Sequence, residues 1–275
     1  MRGAEVGDAL AAAIDAFTAA GIDTPRLDAE VLLSGITGFD RAQLISDPTL
    51  EIPPAQARVF SSAVRRRQTR EPVAYILGSK GFRYIELEVD SRVLIPRPET
   101  EMLVELALEL KPSTVLEIGT GSGAIALAVA DEIPEVHVLA TDVSAASLAL
   151  ASRNARLLGS QDRVDFLKAS LPVSGEFDLI LANLPYVAES EQLEPEIMKF
   201  EPHGAVFGGP TGLEVFEEVL GELASSDIEA RAIGLEIGME QGHAVSEMVR
   251  KAGWSEVETR ADLARLDRVV VGRIS

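Results

Sequence analysis

Three groups of residues in this chain have the types and the spacing to do chemistry together. The first is Glu117-Ile118-Gly119-Thr120-Gly121-Ser122-Gly123. Glycines placed this way let the chain turn sharply and let a ligand come close to the backbone. A helix that starts there offers its free N–H groups to a carboxylate or phosphate. The second is Asp142, which lies about 20 residues beyond the glycines, where an acid can accept both ribose hydroxyls of an adenosine ligand. Its bland role would be a helix cap, but Ser144 is the better cap candidate. The third is Asn183-Leu184-Pro185-Tyr186. An amide or amino nitrogen has a delocalised lone pair and is a poor nucleophile. The Asn183 side-chain oxygen and the Leu184 carbonyl are two acceptors that can hold both of its N–H groups. Pro185 stiffens the turn that aims them, and Tyr186 offers a ring to stack on a planar group. A nitrogen held like this can attack a sulfonium methyl in line, with positioning and charge stabilisation carrying most of the work. No general base is needed before attack, because the nitrogen loses its proton easily once methylated.

These residues need elements to hold them, and hydrophobic periodicity supplies them. From Thr114 onward strands and helices alternate. Strand 115–118 leads into the glycine loop and a helix over 122–132, and strand 137–142 into a helix over 145–158. Strands 164–167 and 177–182 follow, the second ending at Asn183. A helix near 212–224, a strand over 232–237 and a helix over 240–252 come next. Val257 and Val269-Val270-Val271 are too close for a crossover helix between them, so they pair antiparallel. The spacing predicts an α/β, mostly parallel sheet with a C-terminal antiparallel hairpin. In open sheets of this kind ligands sit at the carboxyl edge.

Residues 1–74 predict a small helical domain. Leu10, Ala13, Ile14 and Phe17 share one face, and Leu27, Val31 and Leu32 begin a second that ends near Gly35 and Gly38. Ala57, Phe60, Ala63 and Val64 follow Pro53-Pro54. Residues 75–95 predict a β-hairpin linker, with short strands at Tyr75-Ile76-Leu77 and around Phe82, and the alternation Ile85, Leu87, Val89. Residues 96–275 form the third section, opening on a helix that runs to about Leu110. Pro98 suits its first turn, as do Glu99 and Glu101; those acids are alternatively paired carboxylates. Arg97 either lines the ligand pocket or makes a surface ion pair. Glu236 lies within an apolar strand and is left open as a buried structural acid near the site. Trp254 is read as a core or strand-face residue.

The chain has 275 residues, 47% of them hydrophobic and 25% charged, enough to bury a core. Its formal charge of −19 repels nucleic acid at long range, and the Arg65, Arg66, Arg67, Arg70 cluster is read as a helix face. The absence of cysteine excludes disulfides, thiolate metal sites and a cysteine nucleophile. The three histidines lie far apart, so no metal is expected. No apolar run is long enough for a membrane span, and Glu5, Asp8 and Asp15 break up the start, so neither a signal peptide nor a membrane is expected. The expected location is cytoplasmic.

The glycine loop, Asp142 and Asn-Leu-Pro-Tyr together resemble the class I S-adenosylmethionine-dependent methyltransferases that modify planar nitrogens. Within them, Arg70-Glu71-Pro72-Val73-Ala74-Tyr75-Ile76-Leu77-Gly78 and Ile95-Pro96-Arg97-Pro98-Glu99-Thr100-Glu101 are similar to the glutamine methyltransferases of peptide chain release factors. Ala124-Ile125-Ala126-Leu127, Phe200-Glu201-Pro202, Gly208-Gly209 and Asp267-Arg268-Val269-Val270 extend the likeness over nearly the full length. The resemblance implies a Rossmann-like domain that methylates the glutamine of a Gly-Gly-Gln loop in a release factor. The helical domain would dock that partner. Gly119, Thr120, Gly121, Ser122, Gly123 and Asp142 would hold the cofactor, with Asn183 beside it, and Asn183, Leu184, Pro185 and Tyr186 the glutamine. Two positions depart from the family. Leu184 stands where proline is usual, which keeps the carbonyl acceptor but loosens the turn. It also gives a likeness to ribosomal RNA adenine dimethyltransferases, the competing function. Ser170 and Leu171 stand where an acid and an aromatic are common beside the adenine, so Leu171 would meet that ring differently.

Overall fold

A computed structural model describes residues 4–274. They group into two compact units. One takes in the described residues up to Ser79 together with Leu193–Phe200, and the other takes in Lys80–Gln192 and the chain from Glu201 onward.

The first unit is helical: α1 (Val6–Ala19), α2 (Pro25–Thr37), α3 (Arg41–Ser46), α4 (Pro54–Gln68), α5 (Val73–Leu77) and, from far along the chain, α9 (Pro195–Phe200). A short antiparallel pair, β1 (Ala4–Glu5) and β2 (Glu51–Ile52), accompanies them. Pro25 and Pro54 sit in the first turns of their helices, where the missing N–H costs nothing. The buried faces are Ala13 and Phe17 of α1, Ala29, Leu32 and Leu33 of α2, and Phe60 and Ala63 of α4. Leu27 does not belong to the α2 face and is 43% exposed. It lies two residues, about 200° around the helix, from Ala29.

Two of the four clustered arginines, Arg67 and Arg70, turn inward, while Arg65 and Arg66 stay exposed. Arg67 is buried, its Nε 2.7 Å from Asp28 Oδ2 and its Nη2 2.9 Å from Glu196 Oε1. Arg70 reaches the other Glu196 oxygen at 2.8 Å, and Arg66 pairs with Glu71. Residues 75–77 are helical in α5, contrary to the strand their composition suggests. Pro72 starts the turn with its fixed φ, and Gly78, in the left-handed region, ends it by donating its N–H to Ala74 O. Local capping therefore overrides the β-branched, aromatic composition.

The hairpin strands are β3 (Ser79–Phe82), which belongs to the second unit from Lys80 onward, and β4 (Ile85–Glu88). One 3-10 turn, Pro98–Thr100, precedes α6 (Glu101–Leu110). Strands β5 (Thr114–Ile118), β6 (His137–Asp142), β7 (Val164–Lys168), β8 (Ser174–Ala182), β9 (Asp227–Glu236), β10 (Glu256–Ala261) and β11 (Asp267–Arg273) make one sheet in the order β10-β11-β9-β8-β5-β6-β7. β5 to β9 run parallel, while β11 is antiparallel to both β9 and β10, as the short final connection requires. The remaining helices are α7 (Ala124–Glu132), α8 (Ala145–Leu158), α10 (His203–Val206), α11 (Glu214–Ser225) and α12 (Gly242–Lys251).

The central strands are continuous apolar runs because both faces are covered. Leu116, Ile180, Phe216, Ile233, Leu235, Val245, Val249 and Trp254 share one buried cluster. Burying each large apolar side chain of this kind contributes about 1.5–3 kcal/mol. No helix among the described residues is long and apolar enough to cross a membrane.

Candidate functional site

The sheet order reverses direction between β5 and β8. The chain builds outward from β5 through β6 to β7, then returns to β8 on the other side of β5. Crevices outside the carboxyl ends of strands at such a switch point are where open α/β sheets bind ligands. The register fixes what meets there. Ile118 pairs with Thr141 on one side and with Ala182 on the other, and Ala182 pairs with Leu235. The next residue of each strand is therefore Gly119, Asp142, Asn183 and Glu236. One row across the sheet edge holds the start of the glycine loop, the candidate ribose acid, the candidate amide binder and a buried carboxylate.

The glycine loop is held from beneath. Gly119 and Thr120 both donate their N–H groups to Thr141 O at 2.9 Å. Gly121 donates to Asp142 Oδ2 at 2.9 Å, and Ser144 donates to Asp142 Oδ1 at 2.8 Å. Each carboxylate oxygen keeps a lone pair for a further donor. Ser144 caps α8 by accepting from Ser147 N–H, so Asp142 is not its cap. Gly119, Gly121 and Gly123 all have positive φ, and a Cβ on Gly121 would meet open space. A left-handed loop with an open floor beside a carboxylate fits an adenosine-type ligand such as S-adenosylmethionine. Asn154 on α8 is fully buried and donates to both Ser122 O at 2.9 Å and Glu88 O at 3.0 Å, tying the loop to the hairpin.

Glu117, also fully buried, accepts from the Thr120 hydroxyl at 2.6 Å and from Ala126 N–H at 3.1 Å through the same oxygen. Burial pushes its carboxyl up to about 8, and the nearby Asp142 charge pushes the same way against those two donors. Leu171 is half-buried against the apolar cluster, and the Ser170 carbonyl accepts from the Thr141 hydroxyl.

The Asn183–Tyr186 loop is equally braced. A Cβ on Gly119 would stand 3.9 Å from Asn183 O, so the two loops adjoin. Asn183 donates Nδ2–H to the Thr100 hydroxyl at 3.0 Å, and no donor among the described residues reaches its Oδ1. Leu184 buries its side chain in the core at 4% exposure. Gln241 donates from Nε2 to Tyr186 O at 2.9 Å and accepts from Gly238 N–H at 2.9 Å. A Cβ on Gly208 would lie 2.3 Å from Pro185 O, and one on Gly212 would lie 2.3 Å from Tyr186 O. Only glycine fits at either place.

The Tyr186 hydroxyl donates to Glu236 Oε1 at 3.3 Å. Burial raises both groups, the carboxyl up to about 7, with Glu99 adding repulsion while the Thr100 and Tyr186 hydroxyls and Arg268 pull the carboxyl down. Glu236 is thus the buried acid of the site that its apolar strand left undecided. Arg97 makes an ion pair with Glu201, which also accepts from Ile95 N–H at 3.1 Å. Glu101 accepts from Arg83 N–H at 3.2 Å. Asn154 and Gln241 carry no motif of their own. Their signal lies in what they face across the fold, which one sequence does not display.

Comparisons with known proteins agree over most of the length. A family model described as PrmC N-terminal domain matches residues 8–78, and one described as methyltransferase small domain matches residues 97–200. The chain is 38% identical to a release factor glutamine methyltransferase of Caulobacter vibrioides, over 95% of this chain and 93% of that one. It is 39% identical to the Bordetella pertussis protein of that name, over 90% and 94%. Among solved structures, the hMettl16 catalytic domain in complex with a MAT2A 3'UTR hairpin aligns with a TM-score of 0.55 at 14% identity, over 81% of this chain and 82% of that one. At that identity the likeness is one of fold.

Proposed function

Because the chain belongs to the release factor glutamine methyltransferase family, we propose that it methylates the side-chain amide nitrogen of the glutamine in the Gly-Gly-Gln loop of a peptide chain release factor, using S-adenosylmethionine. The observation that carries the proposal is the single row of Gly119, Asp142 and Asn183 at the switch point, with Asn183 Oδ1 left to accept. Bound S-adenosylmethionine supplies an electrophilic methyl on sulfur.

The chain supplies the rest. Gly119 to Gly123 cradle the cofactor, Asp142 accepts from its ribose, and Leu171 faces its adenine. Asn183 Oδ1 and the Leu184 carbonyl each accept one N–H of the glutamine amide. The lone pair of the nitrogen then stands out of the plane in which its two N–H groups are held. Tyr186 stacks on that plane, and Pro185 limits its movement. Two hydrogen bonds, made before the reaction, replace the search for orientation that free reactants would need. Residues 1–74 dock the protein substrate and 75–95 join them to the transferase section 96–275. A charge of −19 supports a protein over a nucleic acid as substrate.

The test offers methyl-labelled S-adenosylmethionine with purified release factor and, separately, with ribosomal RNA. Label should enter the release factor and vanish when its loop glutamine is changed. Label on RNA alone would replace the proposal with adenine methylation. Asn183→Ala should lower kcat by about 10²-fold or more while cofactor affinity stays within error. Near-normal turnover would remove Asn183 from its role.

A further inference from the structure

We infer that Asn154 is a positioning residue for cofactor binding, and that through it the hairpin of β3 and β4 holds the glycine loop in the shape that S-adenosylmethionine meets. The inference rests on the cofactor reading given above. It gives the hairpin a task beyond joining two sections of the chain.

A glycine loop carries a difficulty of its own. Gly123 has a φ of 84°, which it reaches at no steric cost, and the same freedom opens other conformations to it. The peptide group between Ser122 and Gly123 must nevertheless keep one orientation, because α7 begins at the next residue. Two bonds hold that group. Its N–H donates to Thr120 O at 2.8 Å, within the loop itself. Its carbonyl, Ser122 O, accepts from Asn154 Nδ2 at 2.9 Å. Helical geometry would offer this carbonyl the N–H of Ala126, four residues on. Ala126 donates to Glu117 instead, and Asn154 stands in for the missing helical donor.

Asn154 can serve because its own amide cannot turn. Oδ1 accepts from Glu88 N–H at 2.9 Å, and Nδ2 also donates to Glu88 O at 3.0 Å. A backbone N–H only donates and a backbone carbonyl only accepts, so both ends of the amide are assigned. Its two N–H groups are both used, and the residue is fully buried. Glu88 is the last residue of β4, so the end of that strand aims the amide. Leu87 and Val89, buried on either side, fix the strand. Arg153 also pairs with the Glu88 carboxylate, but its side chain is 61% exposed and the ion pair adds little. Ala151 shares the Asn154 face of α8, and its Cβ lies 3.4 Å from where a Cβ on Gly123 would stand. The helix thus backs the loop at two adjoining residues. Without the Asn154 donor the Ser122–Gly123 peptide is free to turn over, and cofactor binding must then supply the ordering that the fold now supplies in advance.

The experiment titrates the full chain with S-adenosylmethionine by calorimetry. Asn154→Ala removes all three bonds. Asn154→Asp keeps the shape and an acceptor for Glu88 N–H but lacks the NH2 group. Each should raise the cofactor Kd by about tenfold, with kcat at saturating cofactor within about threefold of the parent. Val249→Ala, in the buried face of α12, controls for stability alone. It should lower Tm by a comparable amount and leave Kd unchanged. Amide hydrogen exchange at Gly123 should quicken more in both Asn154 variants than in Val249→Ala.

A third measurement needs no variant. Coupling is reciprocal, so S-adenosylmethionine bound to the parent should slow exchange of Glu88 N–H more than that of Val249 N–H. Cofactor binding by both Asn154 variants as tight as that of Val249→Ala, or Glu88 exchange indifferent to the cofactor, overturns the inference. If the parent binds no S-adenosylmethionine, the cofactor reading fails, and Gly123 exchange alone decides whether Asn154 braces the loop.

Discussion

Gly208→Ala gives the sharpest test of how the substrate loop is held. The new methyl carbon would stand 2.3 Å from Pro185 O, 3.0 Å from Pro185 C and 3.1 Å from Gly212 O, all backbone atoms. No side chain can swing aside to relieve this. One backbone must move by about 1 Å, and a misplacement of that size near the reacting atoms costs about 10²-fold in rate. Overpacking at a buried site also costs about 1–3 kcal/mol of stability. The variant should therefore fold with a modestly lower Tm, bind S-adenosylmethionine as the parent does, and lose about 10²-fold in kcat. Gly221→Ala on the exposed side of α11 is the control, since a Cβ there meets nothing. It should keep full activity and gain about 0.5–1 kcal/mol. The assays are single-turnover methyl transfer, calorimetric cofactor titration and urea denaturation. Full kcat in Gly208→Ala with an unchanged Tm would show that the close approach does not hold the loop.

Two further outcomes follow from buried charges. Glu117 titrates at about 8 in the folded protein and near 4.5 when unfolded. Below 4.5 both states hold the proton. As pH rises from 4.5 to 8 only the unfolded chain releases it, so stability falls with pH, by about 1.4 kcal/mol per unit and about 5 kcal/mol in all. Glu117→Gln should lack this slope, and its urea midpoint should gain on the parent from pH 5 to 8; parallel curves would sink the argument. Arg67→Leu leaves Asp28 and one Glu196 oxygen without their buried partner. It should cost about 3–5 kcal/mol, with little dependence on salt because the pair is shielded from ions; a loss below 1 kcal/mol, or one erased by salt, would count against it.

Much of the transferase sheet was legible because its signals are local. The inner strands β8 and β9 end in apolar runs, and Gly119 to Gly123, Asp142 and Asn183 all stand at or just past strand ends. The antiparallel end of the sheet followed from the short connection between Val257 and Val269. What could not be read was register, because pairing between parallel strands is non-local. Only the pairing of Ile118 with Thr141 and Ala182, and of Ala182 with Leu235, places Glu236 in line with Asn183. Thr100 stands within the 95–101 stretch, but the meeting of its hydroxyl with Asn183, 83 residues away, is just as non-local. Tyr75 to Leu77 misled because strand-forming composition lost to the caps at Pro72 and Gly78. Leu27 misled because α2 turns a different stripe inward.

The helical unit has a property that bears on any attempt to take the protein apart. Its last helix, α9, is encoded downstream of the Asn-Leu-Pro-Tyr loop, so the chain passes between the two units three times. A gene fragment stopped after Ser79 would carry Arg67 and Arg70 but not Glu196, which both of them clasp. A fragment begun at Lys80 would carry that glutamate with neither arginine. Exchanging this unit between relatives therefore takes two grafts made together, and a single splice at the obvious boundary would strand charge on both sides of the cut.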